Sequence, residues 1–162
     1  MGSFDLLKNL EISISESYGK YVLGAGCDKF EDISELKPTF SFDYLSLDHK
    51  DFGFAGKLLG HNDYKKLLKA LKNISKYTYG TLNGEYSFHF HDIKWEEVTL
   101  SKSDFYKCIY EERYDGQDDI TPYQFKVYEE ARVIGFIYRG VFYLVMFDRG
   151  HKAYKRRDKK KR

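Results

Sequence analysis

A group of side chains near the C-terminus could do chemistry together: Arg132, Asp148, Arg149, His151, Lys152 and Tyr154. They flank two runs, Val133–Tyr138 and Val141–Phe147, that are apolar at nearly every position. Such runs are strands buried on both faces at the centre of a sheet. Arg139-Gly140 is the only turn signal between them, which predicts a hairpin. Arg132 opens the first strand and Asp148 to Tyr154 follow the second, so both strand ends meet in one region. A guanidinium, an ammonium, an imidazole and a phenol gathered there suit a phosphodiester. They can hold its charge and stabilise the extra charge of a pentavalent transition state. The ordinary alternative is that Arg132 pairs with Asp148 and the rest is the solvated exit of the last strand.

Register decides what Arg132 faces. With a strict two-residue loop, Tyr138 pairs with Val141, Ile134 with Val145 and Arg132 with Phe147. A bulge at Gly140 would move the register by one and give Arg132 another partner. Both arrangements fit these residues.

Other candidate sites are weaker. If Tyr86–His91 is a strand, His89 and His91 project from one face, and an HxH pair can ligate zinc. A zinc site needs a third protein ligand, and Asp92 points the other way, so the pair reads as the wet face of a strand. No metal or cofactor is expected. Gly24-Ala25-Gly26 lacks the third glycine or the following GK of a phosphate cradle. The acidic stretch Glu111–Asp119 lacks the spacing of a calcium loop and could instead pack loosely against the basic tail. Cys27 and Cys108 form no disulfide framework, and neither has the neighbours of a nucleophile.

These residues need elements to position them. Aromatic residues make up 18% of the chain and there are two prolines, a balance that favours sheet. Phe40, Phe42 and Tyr44 alternate with polar neighbours, and Phe52-Gly53-Phe54 follows, which reads as a hairpin with one aromatic face. Leu10–Ile14 and Tyr21–Leu23 read as short strands, and Tyr123–Tyr128 as another. A long helix is expected over about 62–79. Asn62 is its cap, Asp63 sits at its positive end, and Gly80 follows. Tyr64, Leu67, Leu68, Leu71, Ile74 and Ser75 form its inner face, while lysines 65, 66, 69, 72 and 76 lie mostly opposite. Those lysines read as a solvated side more readily than as a nucleic-acid face. A short helix is expected over about 101–112. The fold class is therefore α+β, a mainly antiparallel sheet with one long amphipathic helix and one short one.

Charge is divided unevenly. The net charge is +2, yet residues 152–162 alone carry +7, so the remainder is mildly acidic. Residues 1–151 are expected to form one domain, and 152–162 a disordered basic tail. The tail either serves solubility or supplies phosphate contacts through Lys155, Arg156 and Arg157, with Arg149 beside them. No apolar segment approaches the length of about 18 residues that spans a bilayer, and no signal peptide is evident. The expectation is a cytoplasmic chain with reduced thiols that binds no membrane. An exposed edge strand would permit a homodimer.

Arg132-Val133-Ile134, the apolar hairpin and the ending Arg149-Gly150-His151-Lys152-Ala153-Tyr154-Lys155 resemble the C-terminal half of RelE/ParE-type toxins. In that superfamily an arginine starts the penultimate strand, and a G-H-[RK]…Y ending follows the last. The resemblance implies a metal-independent endoribonuclease acting on messenger RNA at the ribosome and held silent by an antitoxin. It places Arg132, His151, Lys152 and Tyr154 in the catalytic site, with Lys152 or Arg149 as the distal base. Attack by a ribose 2′-hydroxyl would be assisted by charge from Arg and Lys and by proton movement through Tyr or His. Lys37-Pro38-Thr39-Phe40-Ser41-Phe42, Tyr44-Leu45 and the ending Phe147-Asp148…His151-Lys152…Tyr154 are also similar to small phage and mobile-element proteins. The alternative reading is a non-enzymatic accessory protein of such an element, holding a protein or nucleic-acid partner through exposed aromatics or the basic arm.

Overall fold

The computed structural model describes residues 33–55, 57, 59–110 and 120–155. The strands expected near Leu10 and Tyr21, the acidic stretch Glu111–Asp119 and tail residues 156–162 lie outside them. Along the chain come strand β1 (Thr39–Ser41) and helices α1 (His61–Ile74) and α2 (Tyr79–Gly84). Strand β2 (His91–Asp92) and helix α3 (Lys102–Tyr110) follow, then strands β3 (Pro122–Tyr128), β4 (Ala131–Tyr138) and β5 (Val141–Asp148). The strands make one sheet in the order β1-β5-β4-β3-β2. Every neighbouring pair is antiparallel except β1, which runs parallel to β5. The α+β class and the mainly antiparallel sheet are as expected. Among the described residues no helix is long and apolar enough to cross a membrane.

The apolar hairpin forms the sheet centre, and β4 and β5 are buried along almost their whole length. Its turn is the strict two-residue one: Tyr138 pairs with Val141, and Arg139 and Gly140 take φ 50° and 76°. Positive φ at both turn positions matches the right-handed twist of the flanking strands. The register nevertheless shifts by one between Gly135 and Ile134, so Ile134 pairs with Met146 and Arg132 with Asp148. The bulge falls inside the hairpin, at Gly135, and not at Gly140. A β-carbon on Gly135 would stand 2.0 Å from the Tyr143 carbonyl oxygen, so only glycine lets the two backbones approach there.

Two apolar clusters cover the two sides of the sheet. On one, Leu67, Leu71 and Ile74 of α1 pack with Phe125, Val133, Leu144 and Phe147. On the other, Phe105, Tyr106 and Ile109 of α3 pack with Ile134, Phe136, Val145 and Met146. The helix expected over about 62–79 is divided into α1 and α2. Gly60 is the N-cap, and Thr78 starts α2 by accepting a bond from Thr81 N at 3.3 Å. That places Gly80 inside α2 and leaves Leu68 65% exposed. Residues 40–54 do not form a hairpin: β1 pairs with β5, and Phe52–Phe54 is not a strand. His49 instead folds this segment, its Nδ1 accepting from the backbone N–H groups of Asp51 and Phe52.

Asp63 joins α1 to the sheet. Its carboxylate accepts from Gly60 N at 2.8 Å, from the Tyr128 hydroxyl and from Arg149 Nε at 3.3 Å. Burial alone would raise this carboxyl, but those donors together hold it below its ordinary 3.8. The stabilisation is therefore complete above the ordinary value and is lost as pH falls through and below it. Asp63→Asn should cost about 1–3 kcal/mol at neutral pH. It should also flatten the loss of stability in acid, measured by urea unfolding from neutral pH downward. An unchanged acid slope would show that the carboxylate is not the linking group.

Candidate functional site

The shift at Gly135 puts Arg132 across from Asp148, and both are buried, at 6% and 1% exposure. They are neighbours in register without an ion pair, because the Asp148 oxygens are taken by the backbone. Oδ1 accepts from Lys152 N and Oδ2 from Ala153 N, both at 2.8 Å. This carboxylate folds residues 149–153 back over the sheet end. Thr99 holds the other side of the loop, its N–H donating to Ala153 O and its hydroxyl to Lys152 O, each at 2.7 Å. His151 adopts the left-handed φ of 54°, and its ring stacks on Tyr154 with centroids 5.0 Å apart.

Arg132 Nη1 donates to the carbonyls of Glu129 and Ala131 at 2.9 and 3.0 Å. Its Nε has no hydrogen-bond partner. Burial weakens the hold of this guanidinium on its proton, and Asp148 and Tyr154 partly restore it. The Tyr154 hydroxyl is likewise buried without a partner. Burial, with Glu97 adding to it, pushes its pKa up to about 12, so it stays protonated near neutral pH.

The neighbouring strand adds residues to the same face. Lys126 pairs with Arg132, Gln124 with Ile134, and His91 with Gln124. Directly opposed residues of an antiparallel pair share a face. Gln124 is 2% exposed, its Nε2 lies 2.9 Å from His91 Nε2, and its Oε1 has no partner. His91 Nδ1 lies 2.7 Å from the Asp92 carbonyl, which can only accept. The proton therefore sits on Nδ1, and Nε2 receives the Gln124 N–H. His89 stands nearby with φ 45°, at the end of a 3-10 turn over Tyr86–Phe88. Its pKa is lowered by burial and then by the charges of Arg132, Lys126, His91 and His151.

The strand expected over Tyr86–His91 is thus corrected. The alternation is real in the letters, but the backbone turns at Phe88–His89, and only His91–Asp92 pairs with the sheet. The two imidazoles come to one region by this turn and not by sharing a strand face. Among the described residues no group of three or more His, Cys, Asp or Glu side chains is placed to hold a metal ion.

Among the described residues, three buried polar atoms without partners, Arg132 Nε, Gln124 Oε1 and Tyr154 Oη, therefore belong to one end of the sheet. A buried donor or acceptor left unpaired costs about 1–3 kcal/mol, more when charged, and native folds rarely keep several together.

The residues expected to act together are divided by the sheet. Arg132, His151 and Tyr154 gather. Lys152 and Arg149 instead line a groove of about 590 Å³ with Asp51, Lys57, Tyr128, Glu129 and Glu130, on the side where Arg149 meets Asp63 of α1. Lys155 is engaged elsewhere, its Nζ donating to Glu96 O at 2.7 Å. Arg156 and Arg157 lie outside the described residues. Lysines 66, 69, 72 and 76 line a further groove of about 600 Å³ beside Val127 and Tyr128. Burial pushes the Cys108 thiol up, against a hydrogen bond with Ser46, and Sγ donates to Asp104 O, which disfavours the thiolate a nucleophile needs.

Gln124 and Lys126 were not picked out from the sequence. Gln124 left a signal, a polar residue between Tyr123 and Phe125 in a strand flanked by apolar cores, but its orientation depends on the β3–β4 register. Compared with protein-family models, with curated proteins and with solved structures, the chain has no significant match.

Proposed function

We propose that the Arg132 face binds a phosphodiester of RNA and cleaves it by attack of the adjoining 2′-hydroxyl, as the RelE/ParE resemblance implies. The observation that carries this reading is the buried guanidinium whose Nε is unpartnered, on the side of His89. Arg132 and Lys126 hold the phosphate charge. His89, kept neutral by burial and by the cations around it, takes the 2′-hydroxyl proton. Tyr154, protonated and stacked on His151, donates to the leaving oxygen. Lys152, whose side chain lines the other groove, takes no part in the chemistry. In a bacterium the wild type should arrest growth, and an antitoxin partner would mask this face.

The test is cleavage of a labelled single-stranded RNA by the full chain in the presence of a chelator. The RNA should be cut, the same sequence with 2′-deoxyribose should not, and His89→Ala should slow cutting about a hundredfold or more. Cleavage of both polymers, or of neither, would sink the mechanism. A partner-holding role without catalysis is favoured by Leu36, Phe42 and Leu47, which are exposed beside edge strand β1. That role predicts binding of RNA or protein with no cleavage.

A further inference from the structure

We infer that Tyr86, backed by His89, is a stacking platform for one unpaired nucleobase next to the phosphate held at Arg132. This rests on the reading that Arg132 binds a phosphodiester, and it adds which side chain holds the neighbouring base. Tyr86 is 82% exposed, the most exposed of the large apolar side chains among the described residues. A tyrosine so placed gains nothing from the core. Its ring is nevertheless held: it packs against the His89 imidazole with centroids 4.5 Å apart, which leaves its outer surface open.

The backbone that sets this up is constrained. Tyr86–Phe88 is a single 3-10 turn, closed by His89 N donating to Tyr86 O at 3.1 Å, with His89 in the left-handed region at φ 45°. A non-glycine residue is held there at a cost, and such positions cluster where a side chain must be aimed. Here the turn aims two aromatic rings at each other beside the cationic face. His89 is two residues before His91, which pairs with Gln124 on the strand whose Lys126 pairs with Arg132. An aromatic surface beside a phosphate-binding cation is the arrangement by which proteins hold single strands, since every base has a π-face. A base paired within a duplex could not reach a ring from that side, because its faces are already stacked.

The test uses the full chain and two non-cleavable, fully 2′-O-methylated hexanucleotides, one bearing bases and one abasic, followed by fluorescence anisotropy. Tyr86→Ala should weaken the base-bearing strand about tenfold and leave the abasic strand unchanged, and Tyr86→Trp should restore binding. Arg132→Met should weaken both. If Tyr86→Ala changes neither strand while Arg132→Met weakens both, the platform is wrong and the phosphate site stands. If the wild type binds neither strand, or Arg132→Met changes neither, the phosphate reading fails and the platform falls with it. Because the Tyr86 side chain is exposed, loss of the fold does not cloud the alanine result.

Discussion

Gly135→Ala should destabilise the protein more than any other single methyl addition in the sheet. The added carbon would lie 2.0 Å from the Tyr143 carbonyl oxygen and 3.0 Å from the carbonyl carbon, with Phe142 Cε1 at 2.7 Å. Two of these are backbone atoms of the central hairpin, which cannot swing away as a side-chain tip can. Relief would require β4 and β5 to separate where both strands are fully buried. Overpacking of this kind costs about 1–3 kcal/mol and more when backbone must move. The whole stability of a domain this size is only about 5–15 kcal/mol. Gly84→Ala is the matched control, since nothing lies within 4 Å of its added carbon. Urea unfolding of the two variants should give a large drop for one and little change for the other. Equal midpoints would mean that the strands do not approach as described.

The second large effect is expected at Arg132, and it should appear in activity more than in stability. Arg132→Met keeps the length of the side chain and removes a buried charge. Two hydrogen bonds, to the carbonyls of Glu129 and Ala131, are lost. The cost of holding a buried, incompletely paired cation is lost with them. Those contributions oppose one another, so the net change should stay within about 2 kcal/mol. For the proposed reaction, losing the donor that faces the phosphate should cost about 10²–10³ in rate. Arg132→Lys should rescue little, because an ammonium cannot offer the planar donor set of a guanidinium. A variant that unfolds easily yet retains full activity per folded molecule would identify Arg132 as a structural residue.

The legible parts of this chain were those written in periodicity. The doubly apolar hairpin and its Arg139-Gly140 turn could be read directly, because a run buried on both faces has few other homes. Leu67, Leu71 and Ile74 marked the inner face of α1 for the same reason. What was not legible depends on distant pairing. Nothing near Phe40 says that β1 will lie parallel to β5, so the alternation there looked like a local hairpin. Tyr86–His91 alternates as a strand does, but one 3-10 turn and one left-handed residue undo it without leaving a glycine or proline behind. The candidate site was half visible. Arg132, His151 and Tyr154 follow from the hairpin's own ends, while Gln124 and Lys126 enter only through β3. Lys152 and Arg149 looked equivalent to their neighbours in sequence, yet they belong to the side of the sheet that carries α1.

The extra residue opposite Gly135 acts on everything downstream as a change of phase. Up to Val145, the odd-numbered side chains of β5 face the α3 cluster; after it, Met146 and Asp148 do, with Phe147 turned to the other side. Asp148 therefore meets Arg132, and the loop it ties down delivers His151 and Tyr154 to the same surface. Removing one residue between Val141 and Val145 would leave the letters from Phe147 to Lys155 untouched and rotate them half a turn about the strand. Two chains could then share that ending word for word and present it to opposite sides of their sheets. For this ending, a motif is a statement about chemistry only when the parity of the strand before it is counted as part of the motif.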